Sequence, residues 1–212
     1  MRGIILDVRN NPGGLLDQAV AVSEYFLDHG VIVSTKGRDS KNDTIVSAGR
    51  FVPKAPNVPM VVLINSGTAS AAEIVAGALQ DHKRAIIVGT TSFGKGLVQT
   101  FTQIGKNAAI KLTTAKYYTP SGKSINATGI EPDIYIENAK VEYAVKEGKE
   151  TSFTNSSVKS YLKKYNTEEK TEEIPKDKDK KEYIMSEKYR NDYQYARAYD
   201  LIRGLTITSG NK

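Results

Sequence analysis

Three short apolar runs, each closed by a break of Gly, Asn or Pro, constrain this chain more than any other feature. Ile4-Ile5-Leu6 with Val8 ends at Asn10-Asn11-Pro12-Gly13-Gly14, Met60 to Ile64 at Asn65-Ser66-Gly67, and Ala85 to Val88 at Gly89. Runs of this length, rich in β-branched residues and bounded by turn signals, read as strands of a buried sheet. The first two breaks lead into helical patterns. Leu16, Ala19, Val20, Ser23, Phe26 and Leu27 share one face across Leu15 to His29, and Gly30 is a stop. Ser70 to Asp81 is a second helix, rich in small residues. Apolar strand alternating with helix predicts a layered α/β domain with parallel strands.

Between these units, Val31 to Thr35 reads as a strand and Thr44 to Ser47 as a short one. After Gly96 the texture turns to β. Leu97 to Ile104 and Ala108 to Thr119 are long strand-like stretches joined at Gly105-Lys106-Asn107, and Ile134 to Ile136 is a last short strand. From Lys159 to Arg190, 18 of 32 residues are charged, so this stretch holds too little apolar surface to order itself, and its middle, Thr167 to Lys181, reads as a mobile linker. Asp192 to Leu205 places Tyr195, Ala198, Tyr199, Ile202 and Leu205 at helical spacing, an amphipathic helix for the core or a partner.

Composition then removes whole classes of chemistry. There is no Cys, which excludes disulfides, thiolate metal sites and cysteine nucleophiles. His29 and His82 are the sole histidines, both at predicted helix C-termini, where imidazole suits the dipole. The net charge of +6 divides evenly, +3 in residues 1–150 and +3 in 151–212. Nucleic-acid binding, which needs clustered positive charge, is not expected. No apolar run approaches the ~20 residues of a membrane-spanning helix.

Three constellations remain. In Gly67-Thr68-Ala69-Ser70-Ala71-Ala72-Glu73, Ser70 and Glu73 have the spacing of a capping box. The same geometry would place a serine nucleophile at a helix N-terminus, where unpaired N–H groups can hold an oxyanion. Both readings stand on the residues alone. Gly89 to Gly96 nearly matches a phosphate-binding loop, but Gly96 replaces the Ser/Thr and a strand-like run follows instead of a helix. What is left is Lys95 in a glycine-rich bend. It is either a solvent-facing loop lysine or a buried one made neutral by desolvation and able to act as a base. Gln99 could orient its amine. Arg9 to Gly14 is either a plain turn or a backbone donor approaching a ligand. With no histidine base, a serine hydrolase here would need a Ser-Lys arrangement.

Together these stretches resemble the carboxy-terminal processing peptidases, or tail-specific proteases. The matching segments are GIILDVRNNPGG at 3–14, TKGR at 35–38, VVLINSGTASAAEIVAGALQD at 61–81, VGTTSFGKGLVQT at 88–100, KLTTAKYYTPSGKSI at 111–125 and TGIEPDI at 128–134. The resemblance implies a crotonase/ClpP-like α/β layered core with a β-rich second half and a C-terminal helix. It implies Ser70 as nucleophile, Lys95 as general base and Gln99 as the residue orienting the lysine. The Gly14 and Ala71 N–H groups are implied as oxyanion donors, with no metal and no organic or small-molecule cofactor.

The expected division is a protease core at 1–140, a charged, partly flexible extension at 141–190 and an amphipathic helix with tail at 191–212. Family members usually carry a signal or membrane-anchor segment and a PDZ domain. Neither is found in this sequence, so the core reads as N-terminally truncated, and membrane association would run only through a missing N-terminal segment. The expected function is serine endopeptidase action near the C-termini of protein or peptide substrates, on the envelope side of a bacterium (periplasmic or extracytoplasmic). No nucleic acid is expected as partner, and the C-terminal helix offers a surface for homo-oligomerisation. The rival is a truncated, non-catalytic peptide-binding or assembly module of the same fold. An acyl-CoA enzyme of the crotonase type shares the fold but not the Ser-Lys-Gln spacing.

Overall fold

The computed structural model describes residues 1–49, 53–140 and 186–208. Residues 1–140 and 187–212 form one compact unit and 141–186 another. The expected linker Thr167 to Lys181 lies outside the described residues.

The apolar runs form a four-stranded parallel sheet: β1 (Ile4–Asp7), β4 (Met60–Ile64), β5 (Ile86–Gly89) and β8 (Ile134–Tyr135), in the order β1-β4-β5-β8. Val62 stands between Leu6 and Ile87 in the register. All five residues of β4 are buried because both faces are covered, which is why its sequence shows no alternation. Met60, Val62 and Ile64 join the main core, while Val61 and Leu63 meet Ala198 and Ile202 of the C-terminal helix.

Helix α1 (Leu16–Phe26) and helix α2 (Ala71–Asp81) cover the main-core face. Every residue of α2 from Ala71 to Leu79 is buried, as befits a helix enclosed by neighbours. Its small residues permit that enclosure: a Cβ at Gly77 would meet the Ile130 and Thr119 side chains at 3.0 Å. Helix α1 ends at Phe26, three residues before the sequence predicts. Leu27 turns to an extended backbone and drops its side chain into the core at 4% exposure, so burial overrides helix continuation.

The β-rich half, with β2 (Val31–Gly37) and β3 (Thr44–Ser47), makes a second, antiparallel sheet of order β3-β2-β7-β6. Strands β6 (Leu97–Gly105) and β7 (Ala108–Tyr118) form a long hairpin whose distal residues are exposed on both faces. At the C-terminus, α3 (Glu187–Asn191) precedes α4 (Tyr193–Thr208). Asp192 is not the first helical residue but the cap: its Oδ1 accepts the Tyr195 N–H at 2.9 Å. The resulting fold is the expected layered α/β core, with both a parallel and an antiparallel sheet.

Candidate active site

In open parallel sheets, sites form beyond the carboxyl ends of the strands. Here the segments leaving β1, β4 and β5 converge there, and short polar side chains hold them together. The Thr68 hydroxyl donates to the Val8 carbonyl at 2.8 Å and accepts the Asn65 N–H at 3.0 Å. Asn65 Oδ1 accepts the Asn10 N–H at 2.9 Å, and the Ala69 N–H donates to the Asn11 carbonyl at 2.9 Å. The Phe93 N–H donates to the Thr68 carbonyl at 2.9 Å, which brings in the third segment.

Ser70 sits at the turn into α2 with φ 56° and ψ −120°, a conformation that L-residues seldom hold. Such strain costs on the order of 1–3 kcal/mol and persists where the surroundings over-determine it. A strained strand-to-helix turn exposes the nucleophile in α/β-hydrolases. Ser70 and Glu73 stand in a capping-box arrangement, with Glu73 Oε2 accepting the Ser70 N–H at 2.7 Å. Even as an acceptor in that box, a hydroxyl keeps its own O–H to donate.

Gly13 lies flat against this turn. With φ 90°, a Cβ there would come within 2.7 Å of the Ala71 nitrogen and 2.9 Å of the Ser70 Cβ, so only glycine fits. Gly14 follows, exposed and with open space beside it. Among the described residues neither the Gly14 N–H nor the Ala71 N–H has a hydrogen-bond partner. The Ala71 N–H is one of the orphan donors of a first helical turn. The structure thus brings Ser70, Ala71 and the Gly13-Gly14 backbone together.

Glu73 organises the rest. It is 0% exposed, and its carboxylate accepts four hydrogen bonds. Oε1 takes the Ser92 hydroxyl at 2.5 Å and the Gly94 N–H at 2.6 Å. Oε2 takes the Ser70 N–H at 2.7 Å and the Lys95 N–H at 2.9 Å. One buried oxygen therefore holds the main chains of Ser70 and Lys95 within a few ångströms of each other. Reading Glu73 only as a capping-box member misses this. The available signal is its place in the run Ala71 to Leu79, otherwise composed of apolar and small residues.

Of the two readings of Lys95, the structure shows the solvent-facing one. Its side chain is exposed. The loop buries backbone instead: a Cβ at Gly94 would press on the Gly129 and Thr128 nitrogens, and one at Gly96 on Asn126. These close packings turn the lysine outward. Gln99 is also exposed, on β6 just after a bulge, opposite Thr113 of β7. Among the described residues no hydrogen bond joins the Lys95 side chain to Ser70 or Gln99. His82 is engaged elsewhere, its Nε2 2.7 Å from the Val31 carbonyl, and His29 is exposed beyond α1. Among the described residues no group of three or more His, Asp or Glu could hold a metal ion.

Comparison with known proteins places this geometry. The profile of peptidase family S41 matches residues 1–136. A carboxy-terminal-processing protease of Bartonella bacilliformis is 44% identical over 208 residues, 96% of this chain and 45% of that protein. A carboxyl-terminal-processing protease of Synechocystis sp. is 44% identical over 142 residues, 67% of this chain and 33% of that protein. Among solved structures, a photosystem II D1 C-terminal processing protease superposes with a TM-score of 0.60 at 41% identity, covering 65% of this chain and 35% of that one. This chain spans less than half the length of these relatives. With that match across both sheets and all three converging segments, the chain belongs to peptidase family S41.

Proposed function

We propose that this chain carries the catalytic core of a serine endopeptidase that cleaves protein substrates near their C-termini with Ser70 and Lys95. The observation that carries the reading is the shared Glu73 oxygen, which anchors the main chains of both residues. The names of the relatives supply the substrate class.

In this mechanism the neutral Lys95 amine takes the Ser70 hydroxyl proton, and Oγ attacks the scissile carbonyl. The Gly14 and Ala71 N–H groups receive the oxyanion, each such donor contributing about 3–4 kcal/mol. The Lys95 ammonium then protonates the leaving amine, and water hydrolyses the acyl-serine. Gln99 orients the lysine. No step calls for a metal or cofactor. The bacterial processing proteases among the relatives support an extracytoplasmic location for the whole protein. Among the described residues no helix is long and apolar enough to cross a membrane. A homo-oligomer would use the face of α4 that carries exposed Tyr199 and Ile207.

The exposure of Lys95 is the one observation that favours a non-catalytic peptide-binding module of the same fold. A fluorophosphonate probe separates the two. Stoichiometric labelling of Ser70, abolished by Ser70→Ala and reduced in Lys95→Ala, supports the enzyme. No labelling, with an unfolded polypeptide still bound, supports the module.

A further inference from the structure

The three converging segments are anchored by a fourth element that the reaction does not use, the start of α4. Arg9 opens the segment that ends at Gly14. A guanidinium has five N–H groups, and here every one has an acceptor. Nε and Nη2 donate to Asp7 Oδ1 and Oδ2 at 2.9 and 2.7 Å. Nη1 and Nη2 donate to Asp192 Oδ1 and Oδ2 at 2.9 and 2.5 Å. The remaining Nη1 hydrogen goes to Gln194 Oε1 at 3.0 Å. Arg9 and Asp192 are 183 residues apart in sequence, yet the Arg9 side chain is only 14% exposed and Gln194 only 2%.

Gln194 also reaches the other side of the site. Its Nε2 donates to the Ile136 carbonyl at 2.7 Å, and the Ile136 N–H donates to the Gly89 carbonyl at 2.8 Å. Gly89 opens the segment that carries Lys95. The origins of the Gly14 and Lys95 segments therefore both hang on two side chains at the start of α4. Bidentate, charge-assisted pairs of this kind fix geometry as well as energy. The Asp7 and Asp192 hydrogen bonds hold the Arg9 guanidinium above its ordinary range, against the opposing effect of burial.

We propose that Asp192 and Gln194 are positioning residues of the Ser70 site, setting through Arg9 and Ile136 the distance between the oxyanion donors and the Lys95 segment. This rests on the Ser-Lys reading above. A shift of about 1 Å in such a constellation costs about a hundredfold in rate.

The test uses the full 212-residue chain. The rate of Ser70 phosphonylation by a fluorophosphonate is measured, in which Oγ attacks phosphorus and fluoride leaves. Asp192→Asn and Gln194→Met should each slow labelling about tenfold to a hundredfold with the half-saturating probe concentration unchanged. Asp192→Glu should recover part of the rate. Amide hydrogen exchange should rise at 9–14 and 89–95 in both slowed variants, whether or not the wild-type chain reacts. Wild-type exchange in those segments, wild-type labelling rates, or loss of cooperative unfolding in either variant overturns the proposal. Label surviving in Ser70→Ala, or no label on wild type, overturns the Ser-Lys reading instead, and the exchange measurement then decides the positioning role alone.

Discussion

The carboxylate of Glu73, wholly buried, accepts the main-chain N–H of Ser70 at 2.7 Å while its other contacts hold Ser92, Gly94 and Lys95. A buried carboxylate without a cationic partner is tolerable only because four donors surround it. Replacing one oxygen by an amide NH2 turns an acceptor of two bonds into a donor. Glu73→Gln should therefore lower both the unfolding midpoint and the rate of Ser70 labelling, each orphaned donor costing about 1–3 kcal/mol. A variant that melts and labels like wild type would show that the carboxylate is not the anchor.

Gly13→Ala puts a methyl group 2.7 Å from the Ala71 nitrogen and 2.9 Å from the Ser70 Cβ, at a φ of 90°. The backbone alone should cost about 1–2 kcal/mol, and the segment must lift from the serine. Labelling should fall by more than the stability change explains. Equal labelling in a folded Gly13→Ala chain would remove Gly14 from the oxyanion site.

Ser70→Gly removes the nucleophile and also the Cβ from a strained backbone. The strain released, about 1–3 kcal/mol, exceeds the roughly 0.5–1 kcal/mol lost to glycine's freedom in the unfolded chain. The variant should be inert to the probe yet raise the denaturant midpoint at constant slope, whereas Ser70→Ala should be inert without that gain. A Ser70→Gly chain less stable than Ser70→Ala would contradict the strain.

The Arg9 pairs make stability acid-sensitive. The Arg9 hydrogen bond holds Asp192 below the ordinary carboxylate range against burial, and Lys188 adds its charge. Burial works to raise Asp7, and Arg9 outweighs it, with a further contribution from Lys188. A depressed folded pKa contributes stability above the unfolded value of about 3.9 that is lost as pH falls through the folded one. Unfolding midpoints should thus fall on acidification below about pH 4. In Asp192→Asn the starting midpoint should be lower and the fall shallower. Parallel pH profiles for the two proteins would mean the pair contributes nothing at neutral pH.

Much of the fold was legible because it rests on local pattern. Met60–Ile64 and Thr44–Ser47 form strands with the expected bounds, and α2 begins at Ala71 with Ser70 as its cap. Burial on both faces writes an unbroken apolar run, and a helix enclosed on all sides writes a run of small residues. The end of α1 was not legible, since Leu27 leaves the helix to reach a core pocket that other elements supply.

The sequence by itself determined the layered α/β core, the candidate serine at a helix start and the glycines that let Gly13 lie against it. Those follow from periodicity and backbone freedom, which are properties of neighbouring residues. Only the tertiary structure decided that Lys95 faces outward, because its burial depends on which backbones fill the space beneath Gly94 and Gly96. Only the tertiary structure turned Glu73 from a cap into the tie between two segments, and joined Arg9 to Asp192. Hydrogen bonds between residues distant in the chain leave no period to read. They exist only once the sheet has brought its strand ends together.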